Sequence, residues 1–531
     1  MRLIKRTFPY DEKSTGEKEK SKPLKNFCFK IKFLSNFQIL NFLQMRYIDK
    51  HDFKIVSKFL GEALGIIGMS VFILGFFSLI SDYKHYENIA YILPGGLMAV
   101  SATFFYRFGI EGRMETRHAL VLSAIAWLLI PLFCSIPFYI ASTSVDPIVK
   151  FVDAYFEAMS AFTGAGLTMI QNLDTHSSTF LFFRSGLAWI GGVGIIMLFL
   201  LILRPSPAVA KLYSSEARTG RIKTTMKGTV KEIWKIYILF TIIGVIALLL
   251  LGVNFLDSVA HIMTAIGTQG FSTHDASIGF YYDNVPVQLV LMLFMILGAI
   301  SFFIHFNILD RKFSVVLRNL ELKFFLSLIV VGSVVICANL FFLQHYAVDD
   351  AVKQSTFNVV SAVTTTGFSN ADIGNFDDAS KFILIILMFI GGCSISTAGG
   401  LKVLKILILA ENAWMRIKKV LLPESAVVKV KFGGISLTDE EISYITFLVF
   451  LFFIIYGLGV IIFLYLGYPT MDALFVCATA ISDNGINTLS GTAWFDMSII
   501  GKVTLVFLMY AGRLEILPVL ALIFGIVKRI K

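Results

Sequence analysis

Four stretches of this chain fall onto one sixteen-residue template: DAYFEAMSAFTGAGLT from Asp153, DSVAHIMTAIGTQGFS from Asp257, QSTFNVVSAVTTTGFS from Gln354 and DALFVCATAISDNGIN from Asp472. Position nine is alanine in every copy (Ala161, Ala265, Ala362, Ala480), position fourteen is glycine (Gly166, Gly270, Gly367, Gly485), and position eight carries a small hydroxyl. Self-similarity at a long, loose period signals repeated architecture. Each copy reads as a short helix running into a glycine-containing stretch, set between long apolar segments. That is the layout of a pore loop, repeated four times in one chain.

With 531 residues, 56% of them hydrophobic, and a mean hydropathy of +0.77, the chain is too apolar for a water-soluble globule. A helix needs roughly 20 apolar residues to cross a bilayer core. Ten such spans are read near 57–80, 88–107, 118–142, 178–203, 233–253, 284–306, 323–344, 380–410, 441–467 and 498–527. The fold class is an all-α polytopic membrane protein. The template copies lie between spans three and ten, once per pair of spans. A template helix of about ten residues is too short to cross at 1.5 Å per residue, so the chain enters and returns on one face.

Positive charge sets orientation. Segments 204–235, 307–323, 402–431 and Lys528–Lys531 are rich in Lys and Arg and belong inside; 143–153, 273–283, 345–354, 369–381 and 487–497 carry acids and almost no Arg, and belong outside. Ten crossings then put both termini in the cytoplasm. Residues 1–56 read as a basic cytoplasmic arm with no signal-peptide pattern; it either lies on anionic membrane lipid or is a solvated tail. The net charge of +10 comes mostly from this arm and the inner loops, which gives nucleic-acid binding no support. The five cysteines and eight histidines show no disulfide frame or metal-ligand spacing. His261 and His305 read as packing or hydrogen-bonding residues.

Irregular backbone at membrane depth is tolerated only where protein buries it or water lines it, so the segment after each short helix faces a pore. Those segments are Thr163-Gly164-Ala165-Gly166, Gly267-Thr268-Gln269-Gly270, Thr364-Thr365-Thr366-Gly367 and Ser482-Asp483-Asn484-Gly485. Carbonyl oxygens can replace the hydration shell of a cation, and glycine supplies the backbone angles needed to aim them. Helix carboxyl ends converging on such a site add partial negative charge. Asp153, Asp257 and Asp472, at the template starts, read as helix caps, with Gln354 the odd copy.

The chain resembles the TrkH/KtrB/HKT superfamily of potassium transporters, most closely its bacterial TrkH branch. The motifs are TTTGFS at 364–369, TQGFST at 268–273, WIGGVGIIMLFLLIL at 189–203, GGCSISTAGGLK at 391–402 and GRLEILPVL at 512–520, and the likeness runs from about residue 57 to the end. It implies four pseudo-symmetric helix–pore loop–helix repeats around a central pore, preceded by an extra helix pair. The implied division is arm 1–56, extra pair 57–107, and repeats 108–204, 205–307, 308–425 and 426–531. It further implies potassium ion uptake across a bacterial cytoplasmic (inner) membrane, a homodimer, and a cytoplasmic TrkA-like nucleotide-binding ring. The sixteen segment residues above would be the potassium selectivity filter. Gly391, Gly392, Ser394, Ser396, Gly399 and Gly400 would belong to an intramembrane gate loop, with Arg513 in the pore beside it. Taken by residue type alone, the loop also reads as a kinked packing pair and Arg513 as an interhelical salt bridge. Two segments depart from the family pattern: the first has Gly164, and the fourth has Asp483, which either raises cation occupancy or turns away to bond backbone amides.

Coupling of potassium to Na⁺ or H⁺ is an alternative that sequence does not separate, since it is a matter of stoichiometry. An intramembrane enzyme using Ser394 or Ser396 as nucleophile would leave the four pore loops unexplained. A voltage-gated channel needs an Arg-rich sensor helix, and no span has one.

Overall fold

The computed structural model describes residues 49–81, 89–142, 144–194, 226–423, 430–432 and 435–527. The basic arm through residue 48 and most of segment 204–235 lie outside the described residues. Each repeat has three parts. A lead helix crosses the apolar layer (Thr116–Ala141, Met226–Leu250, Leu320–Phe342 and Asp439–Tyr465). A pore helix follows (Pro147–Thr163, Phe255–Ile266, Val348–Val363 and Thr470–Ile481). A return helix completes the unit (Ser178–Val193, Val285–Ala299, Asp378–Ile390 and Ile499–Arg513). The extra pair, Lys50–Ser81 and Ile89–Phe108, packs on the first lead helix. Among the described residues the only strands are the two-residue pair Lys431–Phe432 and Ile435–Ser436.

The repeats close into a ring. Each return helix packs on the next repeat's pore helix: the first on the second, the second on the third, the third on the fourth, and the fourth back on the first. A buried ion pair seals that last joint, with Lys502 Nζ 2.5 Å from Asp153 Oδ1. Removing one partner of a buried pair costs about 3–5 kcal/mol, because the survivor is left charged and unpaired. Asp153 is therefore not a cap. The first pore helix starts earlier, at Pro147, and Asp146 caps it by accepting from the amides of Ile148 and Val149. The third also starts before its template, at Val348. These two pore helices run 17 and 16 residues and the other two 12, longer than the ten read from the template. Asp257 and Asp472 do lie in first helical turns.

The second and fourth return helices correct the expectation of continuous spans, while the third breaks where its glycine-rich stretch does. Six helices among the described residues are long and apolar enough to cross a membrane unbroken, and two further spans are sharply bent. Val285–Ala299 meets Phe302–Leu309 at 103°, and Ile499–Arg513 meets the next helix at 116°. The third return helix ends at Ile390 and the chain resumes helix at Val403. All four stop beside a glycine that lets two backbones touch. A Cβ on Gly191 or Gly298 would sit 2.6 Å from a carbonyl oxygen of its own repeat's pore helix, Phe162 O or Ile266 O. At Gly512 it would overlap Ile481 O.

Gly512→Ala is expected to force that helix pair apart and lower the melting temperature in detergent, at a cost of about 1–3 kcal/mol. Gly457→Ala, where nothing lies within 4 Å of the added carbon, is expected to leave it unchanged.

Candidate functional site

The four template copies fold alike at the hydrogen-bond level. The position-thirteen amide donates to the position-eight carbonyl in every copy: Ala165 to Ser160 at 3.1 Å, and Gln269 to Thr264, Thr366 to Ser361 and Asn484 to Thr479 at 2.9 Å. Position twelve is left-handed throughout, with φ of 89° at Gly164, 51° at Thr268, 52° at Thr365 and 53° at Asp483. Non-glycine residues seldom adopt this geometry, so three strained residues at one template position mark a built feature. Position fourteen is left-handed at Gly166, Gly270 and Gly367 but not at Gly485. The position-eight hydroxyl explains itself in three copies, reaching forward to the segment it precedes. Thr264 Oγ1 donates to Phe271 O at 2.9 Å, Ser361 Oγ accepts from Gly367 N at 3.0 Å, and Thr479 Oγ1 donates to Asn484 O at 2.6 Å.

The segments meet around one axis. A Cβ on Gly166 would collide with Gln269 O, one on Gly270 with Thr366 O, and one on Gly367 with Gly485 N; one on Gly485 would lie 3.1 Å from Ala165 O. The order one, two, three, four and back to one matches the helix ring. All four glycines line a single cavity of about 500 Å³, whose rim carries Asp275 and Asp372. It opens toward the acid-rich loops.

On the opposite side, loop 391–402 lies against the same segments. Gly399 N donates to Thr365 Oγ1 at 2.6 Å, Gly400 N to Ser482 O at 3.0 Å, and Thr268 Oγ1 to Thr397 Oγ1 at 3.2 Å. The loop begins at Gly391 and turns again at Gly400, with φ of 68° and 71°. Cys393 N, just past Gly392, donates to Ala299 O at 2.9 Å. Ser394 is held by Glu321, which accepts from its amide at 2.5 Å and its hydroxyl at 3.1 Å, and Ser396 Oγ donates to Cys393 O at 2.5 Å. Both hydroxyls are thus engaged in holding the loop. Arg513 donates to Thr397 O at 3.0 Å, Gly191 O at 2.9 Å and Gly192 O at 3.0 Å, so it ties the loop to the first and fourth return helices. Glu515 pairs instead with Lys405, at 2.5 Å. Asp483 sits at position twelve, where Thr268 and Thr365 bond the loop. Its Oδ1 is buried without a hydrogen-bond partner, so the amide-bonding alternative does not account for this oxygen.

His261 and His305 are hydrogen-bonding residues as expected: His261 contacts Asp257 O at 2.8 Å and Ser272 Oγ at 2.9 Å, and His305 contacts Leu297 O at 2.8 Å. Two supports escaped the sequence reading. Arg184 Nε lies 2.6 Å from Glu157 Oε1, its Nη1 donates to Ser272 O at 2.8 Å, and its guanidinium covers the Phe271 ring at 3.6 Å. Glu157 also accepts from Met169 N at 2.9 Å, so this pair braces the ends of the first two segments. The rule that flags Arg513, a charge inside an apolar span, applies equally to Arg184 and Lys502. The second missed signal is that the glycine already noted at Gly391 has a counterpart at or near the end of every other return helix, at Gly191, Gly298 and Gly512.

The chain matches the family of TrkH cation transport proteins over residues 106–527. It is 34% identical over 477 residues to an uncharacterised cation transporter of Methanocaldococcus jannaschii, covering 88% of this chain and 96% of that protein. With the Trk system potassium uptake protein TrkH of Escherichia coli K12 it shares 28% identity over 452 residues, 81% of this chain and 92% of that one. Its fold resembles the crystal structure of the potassium transporter TrkH from Vibrio parahaemolyticus, with a TM-score of 0.76 at 25% identity, over 88% of this chain and 98% of that one. A ring of four half-spanning pore helices, a shared cavity and a family match across all four repeats lead to one conclusion: this chain belongs to the TrkH family of cation transport proteins, and is a multi-pass membrane transporter rather than an enzyme.

Proposed function

We propose that the protein takes up K⁺ across the cytoplasmic membrane through a filter formed by Thr163–Gly166, Gly267–Gly270, Thr364–Gly367 and Ser482–Gly485. The observation that carries this reading is the single cavity lined by all four template glycines, with consecutive segments in backbone contact around a closed ring. Four pore helices end at that ring, and their partial negative charge favours a cation there. Carbonyl oxygens can then take the place of water around it. Relatives named for potassium uptake support the choice of ion. The acid-rich loops face outside and the basic segments the cytoplasm, with both termini inside.

Loop 391–402 is the gate. It closes the cytoplasmic side of the filter while Thr365, Thr268, Ser482 and Arg513 hold it, and Arg513 adds a fixed positive charge that opposes passage. The functional units follow the implied boundaries, with repeats at 108–204, 205–307, 308–425 and 426–531 after the pair at 57–107. The protein works as a homodimer with one pore per subunit. A TrkA-like nucleotide-binding ring docks on basic segments 204–235 and 402–431 and draws the loop away. Neutralising both segments should abolish pull-down of that ring; retained binding would remove the docking site.

The filter is tested by Rb⁺ uptake into liposomes, with K⁺ and Na⁺ as competitors. K⁺ should block uptake far better than Na⁺, and Gly367→Ser should erode that preference; equal competition by Na⁺ in the unaltered protein would contradict a potassium filter. The four glycines should not be equally sensitive. Gly367→Ala puts a side chain at φ 99° into the Gly485 backbone, whereas Gly485→Ala meets ordinary angles and a nearest atom at 3.1 Å. A strained backbone position costs on the order of 1–3 kcal/mol, so Gly367→Ala should lose the K⁺ preference and Gly485→Ala should retain most of it.

A further inference from the structure

We propose that His274 is a positioning residue for the second filter segment, that it acts as an imidazolium clamped between two carboxylates, and that external protons thereby promote cation flux. The proposal rests on the filter reading above.

Four residues past Gly270, the His274 ring joins two repeats. Its Nδ1 is 2.6 Å from Asp174 Oδ1, in the turn after the first filter segment, and its Nε2 is 3.2 Å from Asp257 Oδ2, in the first turn of the second pore helix. A neutral imidazole has one N–H, so one nitrogen would turn a lone pair toward a carboxylate. Only the imidazolium satisfies both contacts. The ring stacks on Phe280 at 3.7 Å, which fixes its plane.

The clamp is wired to the filter. His274 N donates to Ser272 Oγ at 3.1 Å; that hydroxyl contacts His261 Nε2 at 2.9 Å, and Ser272 O accepts from Arg184. Two further bonds tie the repeats together, from Asp275 N to Asp174 Oδ2 at 3.3 Å and from Leu173 N to Asp275 Oδ1 at 2.9 Å. The titratable and charged groups around the ring are Asp174, Asp257, Asp275, His261, Tyr281 and Arg184. His261 stacks at 6.1 Å, Tyr281 donates to Asp257 Oδ2 at 2.9 Å, and Arg184 is paired with Glu157. Two carboxylates therefore contact the His274 ring, and the guanidinium nearby has its own acid.

Burial opposes a charge on His274, but the hydrogen bonds to Asp257 and Asp174 outweigh it and hold the pKa above the ordinary 6.5. The same bond from His274 holds the Asp174 carboxyl below its usual range, so the two partners agree in direction. Because the folded-state pKa is raised, the clamp is fully made below the ordinary imidazole value. It is lost as pH rises through the raised one.

The test is Rb⁺ uptake into liposomes with the internal pH fixed and the external pH stepped from about 6 to about 9, across and beyond the imidazole range. The unaltered protein should lose uptake several-fold as external pH rises. His274→Gln should be low and flat, and His274→Arg, charged throughout, should be high and flat. A His274→Gln profile that follows the unaltered protein would overturn the proposal. Should His274→Gln fail to fold, Asp174→Asn should move the midpoint to lower pH, and an unmoved midpoint would overturn the proposal equally. Hydrogen exchange at the amides of residues 272–275, corrected for intrinsic rate, reads the clamp without any ion. A transition with pH in the unaltered protein, absent in His274→Arg, supports the clamp even if no Rb⁺ enters, in which case the closed loop or the filter reading is at fault and not the clamp. No transition overturns the clamp.

Discussion

Backbone amides and carbonyls at membrane depth cannot turn to lipid for partners, and every copy of the template meets this constraint with the same bond. The position-thirteen amide folds back onto the position-eight carbonyl. That bond goes with a left-handed residue at position twelve in all four copies, and beyond it Phe271 O and Asn484 O accept from position-eight hydroxyls. A segment so arranged cannot stand alone, because its exposed backbone needs a neighbour or an aqueous cavity. Four of them around one axis supply both. The ring of helices, the broken return spans and the close glycine contacts all serve to hold those four turns together.

The ring is asymmetric where chemistry requires it. The joint between the fourth repeat and the first carries the Asp153–Lys502 pair, and Trp494 Nε1 also donates across it, to Thr168 O at 2.7 Å. The first two segments are braced by Glu157 and Arg184. The second, third and fourth bear on the loop through Thr268, Thr365 and Ser482. Buried charge thus braces the first repeat against both of its neighbours, while the loop bears on the second, third and fourth segments.

Much of this was legible in the sequence. Repetition located all four segments, and hydropathy with charge gave the polytopic class. Arg513 and the Gly391–Gly400 loop stood out as polar breaks in apolar spans. Other features were hidden for physical reasons. Nothing in the β-branched side chains of Thr268 or Thr365 announces a left-handed backbone, and identical glycines at position fourteen conceal that Gly485 alone has ordinary angles. The start of the first pore helix is encoded by Asp146-Pro147, an N-cap followed by a first-turn proline, upstream of the repeated template. The partners of Lys502 and Arg184 depend on contacts between distant parts of the chain, which spacing along the sequence does not encode.

Four non-equivalent segments sharing one ion path on a common axis would hold ions between them. Crystals grown in Rb⁺ and measured at its absorption edge would locate the ions directly. Anomalous peaks are expected on the axis between the carbonyls of all four segments, above loop 391–402. Peaks confined to the separate cavity beside Asp153 and Lys502, between the first and fourth repeats, would contradict a shared path.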